Sequence, residues 1–436
     1  MTFSAEKGTC LRAKFHFVPE TVLRSIMRVP KTEFPMRHSL LSPEIKGIFN
    51  RNFNVVTAVN FCVMLAYYQI LVTTTLFVQE RFDAPLSIAG TCSGIMVIGC
   101  LMGRFLTGNL LSTLGGRRVL TGGAVLYALM ALLNPLVPTL TLFLAQRLVA
   151  GFAMGVIGTA TGTIMAYSLP VTVQGLGVSF FSLSTALALA LGPCLGISVV
   201  HVLGYSALNG DLIALTLLSL AIALTLATPP HVKSVRRSLF KLKNYIDVRV
   251  LPFASVTLIM TMGYGSITAY LATLAAERSL ETAASVFFLI SALCTITTRP
   301  LTGRLFDRYG ENLVIYPAIL CTALALTLLA VAKSSWLLLI AGVFQGLGFG
   351  NFQSAGQAIA LRLVKKYRFP QATSTFFIFF DLGIGISPYI FGEIALKSDF
   401  GVMYLCLAAL TALSLLLYYA VHGKNHPLRR SLRRHG

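Results

Sequence analysis

Charged side chains inside apolar stretches are the residues of this chain best suited to chemistry. Asp381 is the carboxylate deepest in such a stretch, within FFDLGIG at 379–385, and Arg147 lies well inside another. Such a charge costs about 2.5–3.5 kcal/mol on insertion scales and normally faces a wet cavity or a partner. Because hydration and nearby cations shift the proton affinity of a buried carboxyl, we expect Asp381, assisted by Arg147, to bind and release a proton. The alternatives are a structural acid and an arginine that extends to the membrane interface.

The composition indicates which elements hold these side chains. The 436-residue chain is 56% hydrophobic and only 11% charged, whereas soluble domains carry about 25% charged residues. Its apolar runs reach the roughly 20 residues that a membrane-spanning helix needs, and they lack the alternation of a membrane barrel. We predict an all-α integral membrane protein with twelve spans, at 53–78, 87–110, 119–137, 139–163, 175–198, 208–228, 250–274, 283–303, 313–332, 336–361, 372–396 and 401–421.

The basic residues lie almost entirely on one side of the predicted membrane. If residues 1–52 are inside, 28 of the 35 Lys and Arg residues lie on that side and 4 on the other. Since basic loops mark the cytoplasmic face, both termini are predicted to be cytoplasmic, in a multi-pass protein of a bacterial inner membrane. The net charge of +20 is thus interpreted as a topology signal, and we expect no nucleic-acid partner.

Sequence features recur at a fixed offset of 195 residues. RFLTGNLLSTLG at 104–115 aligns with RPLTGRLFDRYG at 299–310. Such duplication in a membrane chain is typical of transporters whose two halves rock about a shared central site. The offset also pairs residues elsewhere: Gly151 with Gly346, Gly155 with Gly350 and Pro193 with Pro388.

The predicted organisation follows from this duplication and from the polar stretch that begins with Pro229 and Pro230. Residues 1–35 are equally compatible with a cytoplasmic tail and with an upstream start that the cell does not use. The predicted parts are an N-terminal tail at 1–52, a six-helix bundle at 53–228, a cytoplasmic linker at 229–249, a second six-helix bundle at 250–421 and a basic tail at 422–436.

Two loops contain a recognisable pattern. GRLFDRYG at 303–310 and its counterpart from Gly108 to Arg118 resemble the major facilitator superfamily signature G-x-x-x-D-R/K-x-G-R/K-R/K. The resemblance covers roughly residues 50–422 and implies the major facilitator fold, with two pseudo-symmetric six-helix bundles. The first copy has Ser112 where the family has Asp. The resemblance therefore implies that gating contacts at the cytoplasmic ends rest on Asp307 and Arg308, with Arg117 and Arg118 in the first copy; solvated loop charges are the alternative.

Two further segments resemble signatures of this family. RLVAGFAMG begins at Arg147, as in the family's span-4 signature. GPCLG at 192–196 resembles the G-P-x-x-G core that is associated with exporters of the drug:proton antiporter branch. Glycine allows close helix contact and proline bends a helix, so Gly192 and Pro193 are candidate gating residues. A kinked packing helix is the alternative reading.

Polar and aromatic side chains occur in spans 1, 4, 7 and 10, which the family resemblance places around the cavity. Amides in hydrocarbon need partners, so these residues suggest a wet face. Hydrogen bonds between helices are the competing explanation. The candidate substrate contacts are Tyr67, Tyr68, Gln69, Tyr264, Gln345, Asn351 and Gln353.

The leading hypothesis is a secondary active transporter that exports a small organic solute in exchange for protons. The solute is a drug or metabolite, including a siderophore or metallophore, because such exporters share an Asp-x-Gly element in span 11. The alternatives are a proton-coupled symporter that imports a metabolite and a membrane sensor or assembly partner that moves no solute. No ATP-binding loop, metal-ligand cluster or nucleophile–base set is visible, so we predict no enzyme and no cofactor. We expect a monomer whose partners are the solute, protons and the lipid bilayer.

Overall fold

Twelve α-helices make up most of the chain that this computed structural model describes, namely residues 47–83, 86–227 and 244–425. The predicted tails before 47 and after 425, and the predicted linker from 229 to 243, lie outside the described residues. No strand occurs in the described part, so the predicted all-α class is confirmed. The helices are α1 Arg51–Phe82, α2 Leu86–Leu114, α3 Gly116–Leu133, α4 Leu140–Ser168, α5 Gln174–Leu224, α6 Leu251–Glu277, α7 Glu281–Tyr309, α8 Asn312–Val331, α9 Ser335–Gln345, α10 Asn351–Arg362, α11 Phe369–Lys397 and α12 Phe400–Val421.

Eleven helical segments in this part of the chain are long and apolar enough to cross a bilayer. The segment at 171–224 has 54 residues and is about 80 Å long at 1.5 Å per residue. That length covers two hydrocarbon cores of about 30 Å each. The segment therefore supplies two crossings, and the total agrees with the predicted twelve.

The predicted break between spans 5 and 6 lies at Gly204, inside the range given for α5, where two helices meet at a kink. The helix is interrupted at Gly204 alone, whose φ of 78° and ψ of 176° are non-helical. Glycine adopts positive φ without the steric cost that a Cβ brings. The residues on either side, VVHVL and YSAL, contain no proline or charge that would end a helix. A single glycine thus joins two crossings without a separate loop.

Two other boundaries differ from the sequence-based expectation. α3 ends at Leu133 and is followed by a 3-10 turn at Asn134–Leu136, because Pro135 lacks the N–H that would continue the helix. The predicted span 10 contains a π-helical turn at Gly346–Gly350 between α9 and α10. A π turn holds more residues than an α turn and is often found at functional sites.

The sequence repeat corresponds to equivalent close contacts between helices. A Cβ at Gly155 on α4 would overlap the carbonyl oxygen of Cys100 on α2. At the equivalent place, a Cβ at Gly350 would overlap the hydroxyl of Thr295 on α7. Small residues let the helix backbones approach closely. Each half therefore packs its second crossing against its fourth in the same way.

The two sides of the bundle can be distinguished by where the linker attaches. The Arg51 Nη2 donates to the carbonyl of Thr225 at 2.9 Å, next to the segment that joins the two halves. Asn312 Nδ2 donates to the carbonyl of Gly423 at 3.1 Å on the same side. This side is called the linker end below, and the other the far end. Apolar side chains such as Leu416 and Leu203 are exposed on the outside, as a surface in lipid requires.

Candidate transport site

A buried ion pair joins the two halves near the middle of the bundle. Arg104 on α2 places Nε at 2.6 Å from Oδ2 of Asp381 on α11, and its Nη2 donates to Oδ1 at 3.2 Å. Arg104 is 4% exposed. Two parallel N–H···O bonds between a guanidinium and a carboxylate give both charge compensation and a fixed geometry. This pair, the central ion pair, links α2 of the first half to α11 of the second.

The side chains around the central ion pair shield it from water. The Cys100 thiol lies 3.3 Å from Oδ2 of Asp381 and 3.4 Å from Nε of Arg104. The guanidinium carbon lies 4.4 Å from the centre of the Phe377 ring, a cation–π distance. Ser374 donates a hydrogen bond to the backbone carbonyl of Arg104. These contacts tie α2 to α11 over two helical turns.

Arg299 occupies the equivalent position in the second half but has a different environment. It is 1% exposed and donates through Nε and Nη2 to the carbonyl of Gly350, at 3.2 and 3.1 Å. Its Nη2 also donates to Oε1 of Gln353 at 3.0 Å, and its Nη1 donates to the carbonyl of Ser182 in the first half. No carboxylate of the described residues forms an ion pair with it. Its positive charge is therefore held by neutral acceptors.

A carboxylate caps a helix across the two halves at the linker end. Asp307, near the end of α7, accepts hydrogen bonds from the backbone N–H groups of Gly175 and Leu176 through its two oxygens, both at 2.8 Å. These N–H groups belong to the first turn of α5, where the helix dipole favours a negative charge. This arrangement, the Asp307 cap, joins helices of opposite halves at the linker end, and the gating role of Asp307 stays a prediction.

Within its own half, Asp307 pairs with an arginine that the sequence analysis did not name. Arg362 at the end of α10 lies 2.6 Å from Oδ1 of Asp307 and 3.2 Å from Glu311, and Glu311 also meets His422 at 3.0 Å. Arg308, predicted to share the latch, is instead exposed and lies over the ring of Tyr309 at 5.3 Å. The spacing of the signature could not reveal Arg362, which comes from another helix.

The first copy of the loop signature makes a neutral contact. Gln371 at the start of α11 donates through Nε2 to the carbonyl of Gly108 at 2.7 Å and to Oγ of Ser112 at 2.9 Å. Arg117 and Arg118 are both exposed, and Arg117 donates to the carbonyl of Leu224 in its own half at 3.2 Å. Neither arginine crosses to the second half through a described hydrogen bond. The structure thus shows no hydrogen bond between the halves that would support the gating role predicted for these two arginines.

Arg147 does not reach Asp381. It lies inside the first bundle, 3% exposed, where Nη2 donates to Oδ1 of Asn134 at 2.9 Å and the guanidinium lies 4.4 Å from the centre of the Phe143 ring. A periodic sequence cannot show which side of α4 faces the opposite half, and the arginine that meets Asp381 comes from α2. The predicted partnership of Asp381 with Arg147 is therefore corrected to one with Arg104.

Gly192 and Pro193 lie in the contact between α5 and α1. A Cβ at Gly192 would come within 2.6 Å of Cβ of Tyr68, closer than packed atoms approach. Pro193 lies within α5 without ending it. The G-P-x-x-G segment thus allows α5 to pack tightly against Tyr68 and Gln69 of α1, which are two of the predicted substrate contacts. This is the packing role that the sequence left open, and a gating role stays a prediction.

The remaining predicted substrate contacts fall into two groups. Asn351 is bonded to Thr298 and Thr302 of α7, and Gln353 is bonded to Arg299, so contacts between helices account for their polarity. In the second group, buried polar atoms lack a hydrogen-bond partner: Gln69 Oε1, the Tyr264 hydroxyl, and both amide atoms of Gln345. The Tyr67 and Tyr68 rings contact each other at 5.2 Å and interact electrostatically with the central ion pair.

Sequence reasoning missed Arg104 and Arg299 as site residues although both were visible. They begin the two aligned twelve-residue segments of the repeat, and each lies inside a predicted span. An intramembrane arginine kept at the same place in both halves is a costly feature. That cost, read together with the repeat, is the signal that pointed to them.

Comparison with known proteins identifies the family. The model of the Major Facilitator Superfamily matches residues 56–326 and 253–435. The chain belongs to the major facilitator superfamily. It is therefore a multi-pass membrane protein and a secondary transporter of a small solute, not an enzyme.

Relatives of the same type occur in bacteria. An uncharacterized MFS-type transporter of Burkholderia pseudomallei strain 1106a is 26% identical over 393 residues, which cover 86% of this chain and 95% of the relative. The uncharacterized MFS-type transporter YhhS of Escherichia coli K12 is 25% identical over 397 residues, covering 88% of this chain and 95% of YhhS.

Solved structures of other superfamily transporters share the fold. The human organic anion transporter MFSD10 has a TM-score of 0.73 at 14% identity, covering 84% of this chain and 98% of that protein. The fucose:proton symporter of E. coli has a TM-score of 0.67 at 16% identity, covering 85% and 98%. At these identities the likeness concerns the fold alone.

Proposed function

We propose that this superfamily member exports a small organic solute from the cytoplasm in exchange for protons, with Asp381 as the group that binds the proton. The observation that supports this role is the central ion pair. Asp381 and Arg104 belong to opposite halves, so protonation of the carboxylate removes the charge that holds α11 to α2. A proton that reaches Asp381 thus loosens the contact between the halves, and the return of the charge restores it.

The order of events follows from the contacts between the halves. The described hydrogen bonds between them extend from the central ion pair to the Asp307 cap, so the halves are tied together toward the linker end. With the linker end cytoplasmic, this is a state that is closed toward the cytoplasm. Protonation of Asp381 from outside favours separation of α2 from α11, and release of the proton inside favours reclosure.

The charges near the centre favour an anionic or zwitterionic solute. Arg104 is balanced by Asp381, whereas Arg299 has only neutral acceptors among the described residues. A solute with a carboxylate or similar group compensates this charge, while a cationic drug does not. Siderophores and metallophores that carry carboxylates fall within this class.

Transport by inverted membrane vesicles tests the proposal. The probes are a panel of labelled carboxylates, zwitterions and cationic dyes, and the driving force is a pH gradient, acid inside. We expect the wild-type protein to accumulate a carboxylate or zwitterion, with accumulation abolished by a protonophore. Asp381→Asn should reduce gradient-driven accumulation about 5- to 150-fold, the range of a coupling free energy of about 1–3 kcal/mol.

The same helix offers a matched control. Glu393 lies on α11 in an exposed ion pair with Lys397, so Glu393→Gln should transport as the wild type does. Normal accumulation by Asp381→Asn would rule out the coupling role.

Proton-coupled import is the second candidate function. It is favoured by the shared fold with proteins named as a fucose:proton symporter and a proton:xylose symporter. Uptake by intact cells that is stimulated by external acid, together with no accumulation in inverted vesicles, would favour import. The role of Asp381 would then be the same with the solute moving alongside the proton.

A further inference from the structure

A small cavity lies inside the first bundle, away from the contact between the halves. Helices α1, α3, α4 and α5 enclose it, and its wall includes Arg147, Tyr127 and Asn134 among apolar side chains such as Ile70 and Leu212. The cavity has room for about one water-sized species. It is near the far end, beside the turn that follows α3. An organic solute does not fit in it.

Two hydrogen-bond donors on this wall have no acceptor. The Arg147 Nε and the Tyr127 hydroxyl are buried and without a hydrogen-bond partner in the structure, and the two residues are 3% and 2% exposed. A buried N–H or O–H group that is left unpaired costs about 1–3 kcal/mol. The donors therefore indicate that the cavity contains a species that accepts hydrogen bonds.

The charge of the cavity is positive. Arg147 forms no ion pair with a carboxylate of the described residues, and it donates a hydrogen bond to the neutral amide of Asn134. A second hydrogen bond fixes the orientation of that amide, because Asn134 Nδ2 donates to Oδ1 of Asn209 at 2.5 Å. A guanidinium buried in a membrane protein normally has a partner that offsets its charge.

We propose that this cavity binds a monatomic halide, chloride in the cell, between the Arg147 guanidinium and the Tyr127 hydroxyl. A halide accepts hydrogen bonds from both donors and compensates the charge. Gln146 also lines the cavity, with Nε2 donating to the carbonyl of Met130 at 2.7 Å and Oε1 unpaired. Since that oxygen repels an anion, the halide is proposed to contact the two donors and not Gln146.

Thermal unfolding of the purified full-length protein in different anions tests the site. Sodium gluconate is replaced stepwise by sodium chloride or sodium bromide at constant ionic strength. A ligand that binds only the folded protein raises its melting temperature in a saturable way. We expect chloride and bromide to do so, and sulfate, which is too large for the cavity, to have no such effect.

Variants assign the effect to the cavity. Tyr127→Phe keeps the ring and removes the hydroxyl, and should weaken apparent halide affinity about tenfold, as for the loss of a hydrogen bond to an ion. Arg147→Gln should abolish the halide effect. Arg81→Gln is the matched control, since Arg81 lies at the same end of the same bundle and bonds to the Pro135 and Val137 carbonyls; it should keep the full effect.

Two results would overturn the proposal. One is a wild-type protein whose melting temperature is the same in gluconate, chloride and bromide, which is expected if the cavity holds water. The other is a halide effect that Tyr127→Phe leaves unchanged, and this variant decides the matter even if Arg147→Gln does not fold. Anomalous scattering from bromide at Arg147 Nε gives a direct check that does not depend on transport.

Discussion

The two contacts between the halves occupy equivalent places in the repeat, yet their carboxylates lie at opposite depths. Where α2 meets α11, the carboxylate is deep, at Asp381, and the linker end has only the neutral contact of Ser112 with Gln371. Where α7 meets α5, the deep arginine, Arg299, bonds to neutral oxygens, and the carboxylate is at the linker end, in the Asp307 cap.

The backbone of each contact is matched to its charges. The offset of 195 residues pairs Gly175, which donates its N–H to Asp307, with Pro370 on α11. Proline has no N–H to donate, so an acid at position 112 would lack one of the two donors that Asp307 has. The duplication thus preserved the helix packing while the two interfaces took different chemistry. This difference agrees with the proton-binding role proposed for one interface and the closing role predicted for the other.

The largest expected effect comes from separating the members of the central ion pair. Asp381→Asn leaves Arg104 as an uncompensated buried cation. Arg104→Gln likewise leaves the Asp381 carboxylate as an uncompensated buried anion. Removal of one partner of a buried pair costs about 3–5 kcal/mol of unfolding free energy. The double variant should cost less than the sum, and unfolding of all four proteins in detergent measures the difference. Additive losses would show that the two side chains do not interact.

The next largest effect is expected at the Asp307 cap. Asp307→Asn removes the charge and one of the two acceptor oxygens, with a loss of about 1–2 kcal/mol, as for a helix N-cap. The linker end should then open more often. The alkylation rate of Ser179→Cys, at a buried site beside Gly303 of the opposite half, reports this opening and should rise. Arg308→Gln, at an exposed position, is the control, and an equal rise in that variant would contradict a specific role for the cap.

A smaller effect is expected from placing an acid in the first copy. Ser112→Asp alone should stabilise the closed linker end only through Gln371, because Pro370 offers no N–H. Combined with Pro370→Gly, the acid should gain a donor and slow alkylation at the linker end, by an amount that corresponds to about 0.5 kcal/mol. If Ser112→Asp alone stabilised closure as strongly as the double variant, the comparison between the two interfaces would be wrong.

The smallest effect is expected from Arg117→Gln and Arg118→Gln. Both side chains are exposed and at the linker end, where charges contribute about 0–1 kcal/mol. Unfolding and alkylation rates should stay close to those of the wild type. A change as large as that of Asp307→Asn would show that the first signature copy does close the transporter.

The fold could be predicted because each sufficiently long apolar run indicates one membrane crossing independently of the others. Apolar runs of sufficient length and the repeat indicated the helical class and the crossings. The length of the connection at Gly204 was not predictable, because nothing in that apolar run shows that a single glycine is enough to turn the chain. The depth of Asp381 was visible because membrane burial depends on position within a span. Its partner was not, since choosing between Arg104 and Arg147 requires knowing which faces of α2 and α4 meet the other half.

The π-helical turn at Gly346–Gly350 has a consequence for the residues that follow it. Because this turn holds one residue more than a regular α-helical turn, each residue of α10 is offset by about 100° around the helix axis. The offset is measured from the place that an uninterrupted α-helix would give that residue. A helical wheel drawn through the whole crossing therefore assigns its second half to the wrong side. Losing one glycine here would leave a continuous α-helix in which the later residues keep their sides, so Gln353 would still face Arg299. This crossing should consequently tolerate a one-residue deletion within 346–350 better than a one-residue deletion elsewhere along it.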